Sequence, residues 1–195
     1  MSMHLFLVCQ IFWVPPSKPS RPEYRIFIPI PRQKYLDDNH KFKVGIAWAG
    51  NPEHVNDHNR SIDLKQFECL LDIGKCEFFS LQVGERREDI EKYEYHHVIK
   101  DLGEQFTNFH HTASVILQLD LVISVDTVVA HLAGALGKEV WTLLPFVPDW
   151  RWMLNRSDSP WYPSMTLFRQ EEIGDWNGVF QQIKLELMQY TRCLV

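Results

Sequence analysis

The chain has 195 residues, of which 45% are hydrophobic and 23% charged, and its 20 Lys and Arg against 25 Asp and Glu give a formal net charge of -5 at pH 7. The apolar fraction is sufficient for a core and excludes an intrinsically disordered chain. The acidic balance argues against a general nucleic-acid-binding protein, because contact with phosphates needs a basic face. The length is that of one domain with at most a short appendage.

The cysteines and the apolar segments predict a cytoplasmic protein without a membrane span. None of the four cysteines forms a CxxC pair or lies at zinc-finger spacing from a histidine, so we expect neither a zinc site nor a disulfide framework. The apolar run at residues 5–14 is about half of the roughly 20 residues that a spanning helix needs. It also lacks the basic start and small-residue cleavage site of a secretory signal.

The first 35 residues differ in composition from the rest of the chain. They contain six of the 11 prolines, and each proline removes a backbone donor and fixes φ. We interpret residues 1–35 as an irregular, proline-rich arm, either part of the protein or not native to the domain. Residues 36–195 then form the folded domain.

After the arm, strand-like and helix-like segments alternate, which is typical of crossover units and a parallel sheet. The pattern predicts strands at 43–49, 77–82, 97–99, 119–125, 140–144 and 165–168. It predicts helices at 63–71, 85–93, 109–117, 127–136 and 176–188. Asp63 is the expected cap of the first helix, and Gly137 the left-handed residue that ends the fourth. The fold class is therefore α/β, a Rossmann-like parallel sheet flanked by helices.

The sharpest site signal is SVDTVVAHLAGALG at residues 124–137, where an apolar strand runs directly into a helix. The free amides of Thr127 and Val128 then face the crevice at the carboxyl end of the sheet, where open parallel sheets bind ligands. Those amides and the helix dipole favour a phosphate. Thr127 and His131 are four residues apart and can share one helical face. The alternative is that Asp126 and Thr127 only cap the helix while His131 packs against a loop.

A second candidate lies in the loop at residues 50–61, which follows the first strand and so reaches the same edge. Gly50 permits close approach of backbone amides, Asn51 is a polar neighbour, and Arg60 offers a planar fork to phosphate oxygens. The alternative is a solvated loop rich in turn-forming residues. The histidines and aspartate of this loop match no standard metal spacing, so we predict no metal site.

Two further residues after strand ends are candidates. Gln82, or the amides near Gly84, are candidates to contact a ribose or a base edge; the alternative is a plain strand end. Arg151 follows the fifth strand among aromatic residues and is a further candidate phosphate partner. For Trp152 and Trp161 we favour a role as a core plug that holds the last helix. The sequence contains neither GxGxxG after a strand nor GxxxxGK[ST], which weakens a dinucleotide or P-loop interpretation.

A resemblance to known proteins is carried by three stretches: VGIAWAGNPEHVNDHNRSI (44–62), LDLVISVDTVVAHLAGALGKEVWTLLPFVPDWRWM (119–153) and DSPWYPSMTLFRQ (158–170). They closely resemble the C-terminal region of bacterial tetratricopeptide-repeat (TPR) proteins. That region is a glycosyltransferase-like domain related to the ADP-heptose:lipopolysaccharide heptosyltransferases. The likeness extends over roughly residues 33–187.

The resemblance implies the C-terminal half of a GT-B glycosyltransferase, a nucleotide-sugar-binding domain that needs no metal or other cofactor. It implies that Asp126, Thr127, Val128 and His131 hold the diphosphate and sugar of the donor. Arg60 is the best match to a basic residue that assists the phosphates. The expected chemistry is transfer of a sugar from a nucleoside diphosphate to an acceptor hydroxyl, in which His131 and Arg60 stabilise the departing negative charge.

The sequence departs from the family before its first strand, because about 40 residues match neither an acceptor-binding domain nor helical repeats. We therefore expect a truncated chain that lacks the acceptor domain and the catalytic base. Whether the chain is itself an enzyme stays open at this point. The alternatives are a non-catalytic nucleotide-sugar-binding module and a degenerate interaction domain that binds no ligand.

Overall fold

The structure, a computed structural model, describes residues 34–192. Of the proline-rich arm, only the last two residues fall inside this range, so that prediction lies almost wholly outside the described residues. Six parallel strands form one sheet in the order β3-β2-β1-β4-β5-β6. The strands are β1 (Phe42–Ala47), β2 (Cys76–Ser80), β3 (Ile99–Asp101), β4 (Leu121–Val125), β5 (Val140–Leu144) and β6 (Met165–Arg169).

Six α-helical segments connect or flank the strands. They are α1 (Asp57–Arg60), α2 (Glu68–Leu71), α3 (Asp89–Lys92), α4 (Phe109–Gln118), α5 (Val128–Ala135) and α6 (Trp176–Arg192). Short 3₁₀ turns precede several of them, notably Leu64–Phe67 before α2 and Glu85–Glu88 before α3. The predicted α/β fold, a Rossmann-like sheet flanked by helices, is confirmed.

The strands have two buried faces, as their nearly continuous apolar sequences require. Along β4, Leu121, Ile123 and Val125 pack into one core cluster, and Val122 packs into the other. The first cluster joins the sheet to α6 and to the helical segment 64–71, and the second joins it to α4 and α5. Alternation with period two therefore distributes consecutive apolar residues between two layers of helices.

Most predicted element positions are confirmed, with three informative differences. The third strand begins at Ile99, because residues 95–97 form a 3₁₀ turn. The predicted helices 63–71 and 85–93 are each divided into a 3₁₀ turn and one α-helical turn. In the first of them the buried residues Leu64, Phe67 and Leu70 recur every three positions, a spacing that suits the 3₁₀ geometry.

The predicted ends of two helices are confirmed. Asp63 caps its 3₁₀ turn by accepting a hydrogen bond from the Lys65 amide, and Gly137 has φ of 70° after α5. Within the described residues, no helix combines the length and the apolar character needed to cross a membrane.

The strand order reverses direction between β1 and β4, the two central strands. In open parallel sheets, ligands bind outside the carboxyl ends of the strands at such a switch point. The residues that follow β1 and β4 are Trp48–Ser61 and Asp126–Val128, which include both strongest candidates from the sequence. We call the edge formed by these two segments the central rim.

Candidate functional site

The central rim brings Arg60 and Asp126 together. The Arg60 guanidinium donates from Nη1 to the backbone oxygen of Asp126 over 3.2 Å and from Nε to Asp57 Oδ1 over 3.1 Å. The side chains of Arg60 and Asp57 are 15% and 14% exposed, so this ion pair is largely removed from solvent. Arg60 thus ties the loop after β1 to the turn that opens α5.

A glycine makes this arrangement possible. A Cβ atom at Gly50 would lie 2.5 Å from Arg60 Nη2 and 2.6 Å from Asp57 Oδ1. The Gly50 amide donates to Ser61 Oγ over 2.9 Å, and that hydroxyl donates to Asp57 Oδ2 over 2.9 Å. The guanidinium therefore lies against bare backbone, and its Nη2 makes no hydrogen bond with the described residues. This nitrogen is free to donate to a ligand.

The turn that opens α5 leaves its first amides without a side-chain cap. Thr127 is the N-cap residue, with extended backbone, and makes no capping hydrogen bond. Its hydroxyl instead lies 3.0 Å from the hydroxyl of Ser124, which donates to the Val125 oxygen. Thr127 thus occupies the N-cap position, as the alternative expects, but its side chain does not cap the helix. Val128, the first residue of α5, is partly buried against the second core cluster.

One turn into α5, His131 lies between an acid and an aromatic wall. Its Nε2 is 3.6 Å from Asp126 Oδ1, and its Nδ1 is 3.1 Å from the Tyr162 hydroxyl. The imidazole stacks on Trp152 with ring centroids 5.1 Å apart and an interplanar angle of 23°. His131 thus faces the Asp126 carboxylate and packs against a loop, as the alternative expects, whereas its contact with a donor stays a prediction.

The Asp126 carboxylate is held in its ionised form. Burial opposes ionisation, but His131, the Trp152 indole and the charge of Arg60 outweigh it and lower the pKa of Asp126 below its ordinary value of 3.8. The indole N–H of Trp152 is buried and faces this carboxylate, yet makes no hydrogen bond of normal geometry. A carboxylate with a lowered pKa is a weak general base, so Asp126 is suited to accept hydrogen bonds.

The side chain of Gln82 makes hydrogen bonds within the protein at this edge of the sheet. Its side-chain oxygen accepts from the amides of Trp48 and Ala49, and its Nε2 donates to the oxygens of Ala49 and Val83, all within 3.2 Å. The residue is 3% exposed. Because the whole amide is used inside the protein, the geometry favours a clamp on the end of β1 over the predicted contact with a ribose or base.

The remaining candidates lie at the periphery. Arg151 pairs with Asp149 over 2.8 Å and has its guanidinium 5.0 Å from the Trp150 ring, without a hydrogen bond to Arg60, Thr127 or His131. Asn51 is exposed and accepts from the Glu53 amide. Neither contact tests a role in donor binding, so both residues stay predictions. Among residues 34–192, no group of His, Cys, Asp or Glu is arranged to hold a metal ion.

The predicted core plug is confirmed only in the burial of Trp152, which is complete, under His131. Trp152 lies in the second core cluster, whereas α6 packs in the first, so the expectation that it holds the last helix is wrong. Trp161 is 38% exposed, and its indole donates to the Arg151 oxygen over 2.8 Å, so its assignment to the core is wrong. Because the indole N–H of Trp161 donates to a backbone oxygen at the surface, the ring is held there.

The contacts of three residues in this site were not predicted from the sequence: those of Asp57, Ser124 and Tyr162. Asp57 lies three residues before Arg60 in one helical turn, a spacing at which oppositely charged side chains meet, so this pair was detectable. Tyr162 is 31 residues from His131 in sequence, and no local sequence pattern links the two residues. Only the tertiary structure reveals it.

Both arginines of this region are paired with carboxylates, Arg60 with Asp57 and Arg151 with Asp149, while His131 lies beside Asp126. A cavity of about 330 Å³ lies elsewhere, lined by residues that include Lys75, Lys184 and Arg192, and contains none of the candidate residues. The donors available in the central rim are therefore the amides that open α5 and the free edge of Arg60.

Comparison with solved structures finds a similar fold in a heptosyltransferase. The structure of ADP-heptose lipopolysaccharide heptosyltransferase II from E. coli is similar to this chain, with a TM-score of 0.52 and 13% sequence identity. The match covers 77% of this chain and 48% of the heptosyltransferase. The likeness shows that the two chains share a Rossmann-like fold over this region.

A weaker similarity links the chain to one curated protein. Protein FlbA of Caulobacter vibrioides is 24% identical over 158 residues, which cover 76% of this chain and 25% of FlbA. The chain thus spans about a quarter of FlbA and about half of the heptosyltransferase. A comparison with models of protein families finds none that matches the chain.

Proposed function

We propose that this domain binds the nucleoside-diphosphate sugar of a GT-B glycosyltransferase. The observation that carries the proposal is the meeting of the uncapped start of α5 with Arg60 at the switch point between β1 and β4. Backbone amides at a helix start and a guanidinium are the donors that a diphosphate needs. The heptosyltransferase-like fold is consistent with this function.

Each residue has a defined role in the proposal. The amides of Thr127 and Val128, with the Thr127 hydroxyl, hold the diphosphate, and Nη2 of Arg60 donates to its outer oxygens. Asp126 accepts from a sugar hydroxyl, because its carboxylate is ionised and acceptor-only. His131 and Arg60 stabilise the negative charge that develops as the nucleoside diphosphate departs. No metal or other cofactor takes part in this scheme.

The proposal includes a division of labour between domains. The chain matches about half of the heptosyltransferase, so we propose that it supplies the donor-binding half and is incomplete as an enzyme on its own. The acceptor hydroxyl and a base to deprotonate it belong to the other half. The likeness to the C-terminal region of TPR proteins suggests that the intact protein carries helical repeats, with which this domain is associated.

The decisive experiment is calorimetric titration of the folded chain with ADP-, UDP- and GDP-sugars. ADP-sugars come first because the structural neighbour is named for ADP-heptose. We expect saturable binding to the wild type and a loss of about tenfold or more in Arg60→Ala, from one charge-assisted hydrogen bond. Gly74→Ala is the control, because the Cβ atom that it adds would have no neighbouring atom within 4 Å. Absence of binding by the wild type, or equal binding by Arg60→Ala, contradicts the proposal.

The second candidate is a non-catalytic module that binds the same ligands. It is favoured by the pairing of Arg60 with Asp57 and by the lowered pKa of Asp126, which makes this carboxylate a poor base. Incubation with the sugar nucleotide that binds best, followed by chromatography of the nucleotide, separates the two. Release of nucleoside diphosphate supports a catalytic domain, whereas binding without hydrolysis or transfer supports the module.

A further inference from the structure

The surroundings of His131 restrict its imidazole on every side that the structure describes. Trp152 lies under the ring, Tyr162 meets it edge-on with centroids 5.7 Å apart, and Asp126 faces Nε2. The side chain of His131 is 18% exposed. One hydroxyl and one carboxylate therefore meet its two nitrogens.

Tyr162 reaches this position because α5 has a glycine beneath it. A Cβ atom at Gly134 would lie 2.6 Å from Cγ of the Tyr162 ring. The tyrosine backbone is fixed separately, since its amide and that of Trp161 both donate to the Ser159 hydroxyl, a buried group. Gly134, Tyr162 and His131 thus form a continuous contact from helix to imidazole.

We propose that Tyr162 is a positioning residue that, with Asp126, holds the neutral imidazole of His131 in its Nε2–H tautomer. A neutral imidazole has one donor nitrogen and one acceptor nitrogen. The ionised Asp126 can only accept, so the nitrogen that faces it carries the proton. Nδ1 is then an acceptor, and the Tyr162 hydroxyl donates to it. In this arrangement His131 directs a donor, rather than a lone pair, toward Asp126 and the central rim.

The direct test is ¹⁵N NMR of the histidine rings in uniformly labelled chain, at a pH where titration shows His131 to be neutral. Its resonances are assigned by their loss in His131→Gln. We expect a protonated Nε2 and an unprotonated Nδ1 with the shift of a hydrogen-bonded acceptor. In Tyr162→Phe, Nδ1 should move toward the shift of an acceptor without a hydrogen bond. A wild-type ring protonated on Nδ1, or an Nδ1 shift unchanged in Tyr162→Phe, overturns the proposal.

Two further variants separate positioning from folding. Tyr93→Phe removes a hydroxyl that donates to Asp63 over 2.8 Å. Neither Tyr93 nor Asp63 is among the residues that contact His131, so this variant should leave the His131 resonances unchanged. Gly134→Ala keeps the Tyr162 hydroxyl but displaces the ring, so it should alter the Nδ1 shift as Tyr162→Phe does. If Tyr93→Phe changes the Nδ1 shift of His131 as much as Tyr162→Phe does, the change reflects the whole fold, and the positioning role of Tyr162 is excluded.

The expected effect of Tyr162 on sugar-nucleotide binding rests on the proposed function, whereas the proposed tautomer of His131 does not. For a sugar nucleotide that binds the wild type, Tyr162→Phe should weaken binding about three- to tenfold, the range of one hydrogen bond, while Tyr93→Phe does not. If no sugar nucleotide binds, the proposed function fails while the NMR result still decides the tautomer. If one binds and Tyr162→Phe binds it equally, the positioning role fails while the proposed function stands.

Discussion

Arg60 donates a hydrogen bond to the backbone oxygen of Asp126 across 66 residues of sequence. This bond joins the segment after β1 to the segment after β4, so one side chain holds both halves of the central rim. The same guanidinium neutralises the partly buried carboxylate of Asp57. We therefore expect both the stability of the domain and the proposed ligand binding to depend on Arg60.

Replacement of Arg60 by alanine should lower the free energy of unfolding by about 2–4 kcal/mol, because it leaves the Asp57 carboxylate partly buried and unpaired. Arg156→Ala is the matched control, since Arg156 pairs with Asp158, whose side chain is 73% exposed. That loss should be under about 1 kcal/mol. Urea unfolding followed by circular dichroism measures the unfolding free energy of both variants. Equal losses would show that the Arg60–Asp57 pair contributes no more than an exposed ion pair.

Replacement of Gly50 by alanine should displace the guanidinium, because the new Cβ would overlap Nη2 of Arg60 and Oδ1 of Asp57. We expect a loss of about 1–3 kcal/mol in unfolding free energy, typical of overpacking. In Gly74→Ala nothing lies within 4 Å of the new Cβ, so the change should be within about 0.5 kcal/mol. A Gly50→Ala protein as stable as Gly74→Ala would contradict the close packing of Arg60.

Replacement of Gln82 by leucine should be among the most damaging changes near the central rim. It leaves the amides of Trp48 and Ala49 buried without their acceptor, at about 1–3 kcal/mol each. Val83→Ala, at a neighbouring residue that is 51% exposed, is the control, and its loss should be within about 0.5 kcal/mol. Denaturant midpoints of the two variants test this order, and the reverse order would argue against the clamp.

The stability contributed by Asp126 should depend on pH in a defined direction. Its pKa is lower in the folded protein than the ordinary 3.8, so folding favours the ionised form. This contribution is fully present above pH 3.8 and is lost as pH falls through the lower pKa of the folded state. The difference in unfolding free energy between wild type and Asp126→Asn should therefore shrink below pH 3.8. A difference that is constant from pH 7 to pH 3 would contradict the ionised pairing with His131.

The sequence by itself determined the α/β class, all six strands and the edge at which the candidates lie. Apolar runs such as residues 121–125 have one stable use, a strand buried on both faces, and the chain order then fixes which ends meet at that edge. Helix ends with local chemistry, such as Asp63 and Gly137, were predictable for the same reason: their partners are adjacent in the chain.

Only the tertiary structure decided what each polar side chain does there. Gln82 looked available for a ligand until the amides of Trp48 and Ala49 proved to use it, and nothing local links Tyr162 to His131. The physical reason is that a hydrogen bond depends on distances of a few tenths of an ångström between groups far apart in sequence. Periodicity and spacing carry no information about such contacts, whereas packing of the helices on the sheet fixes them.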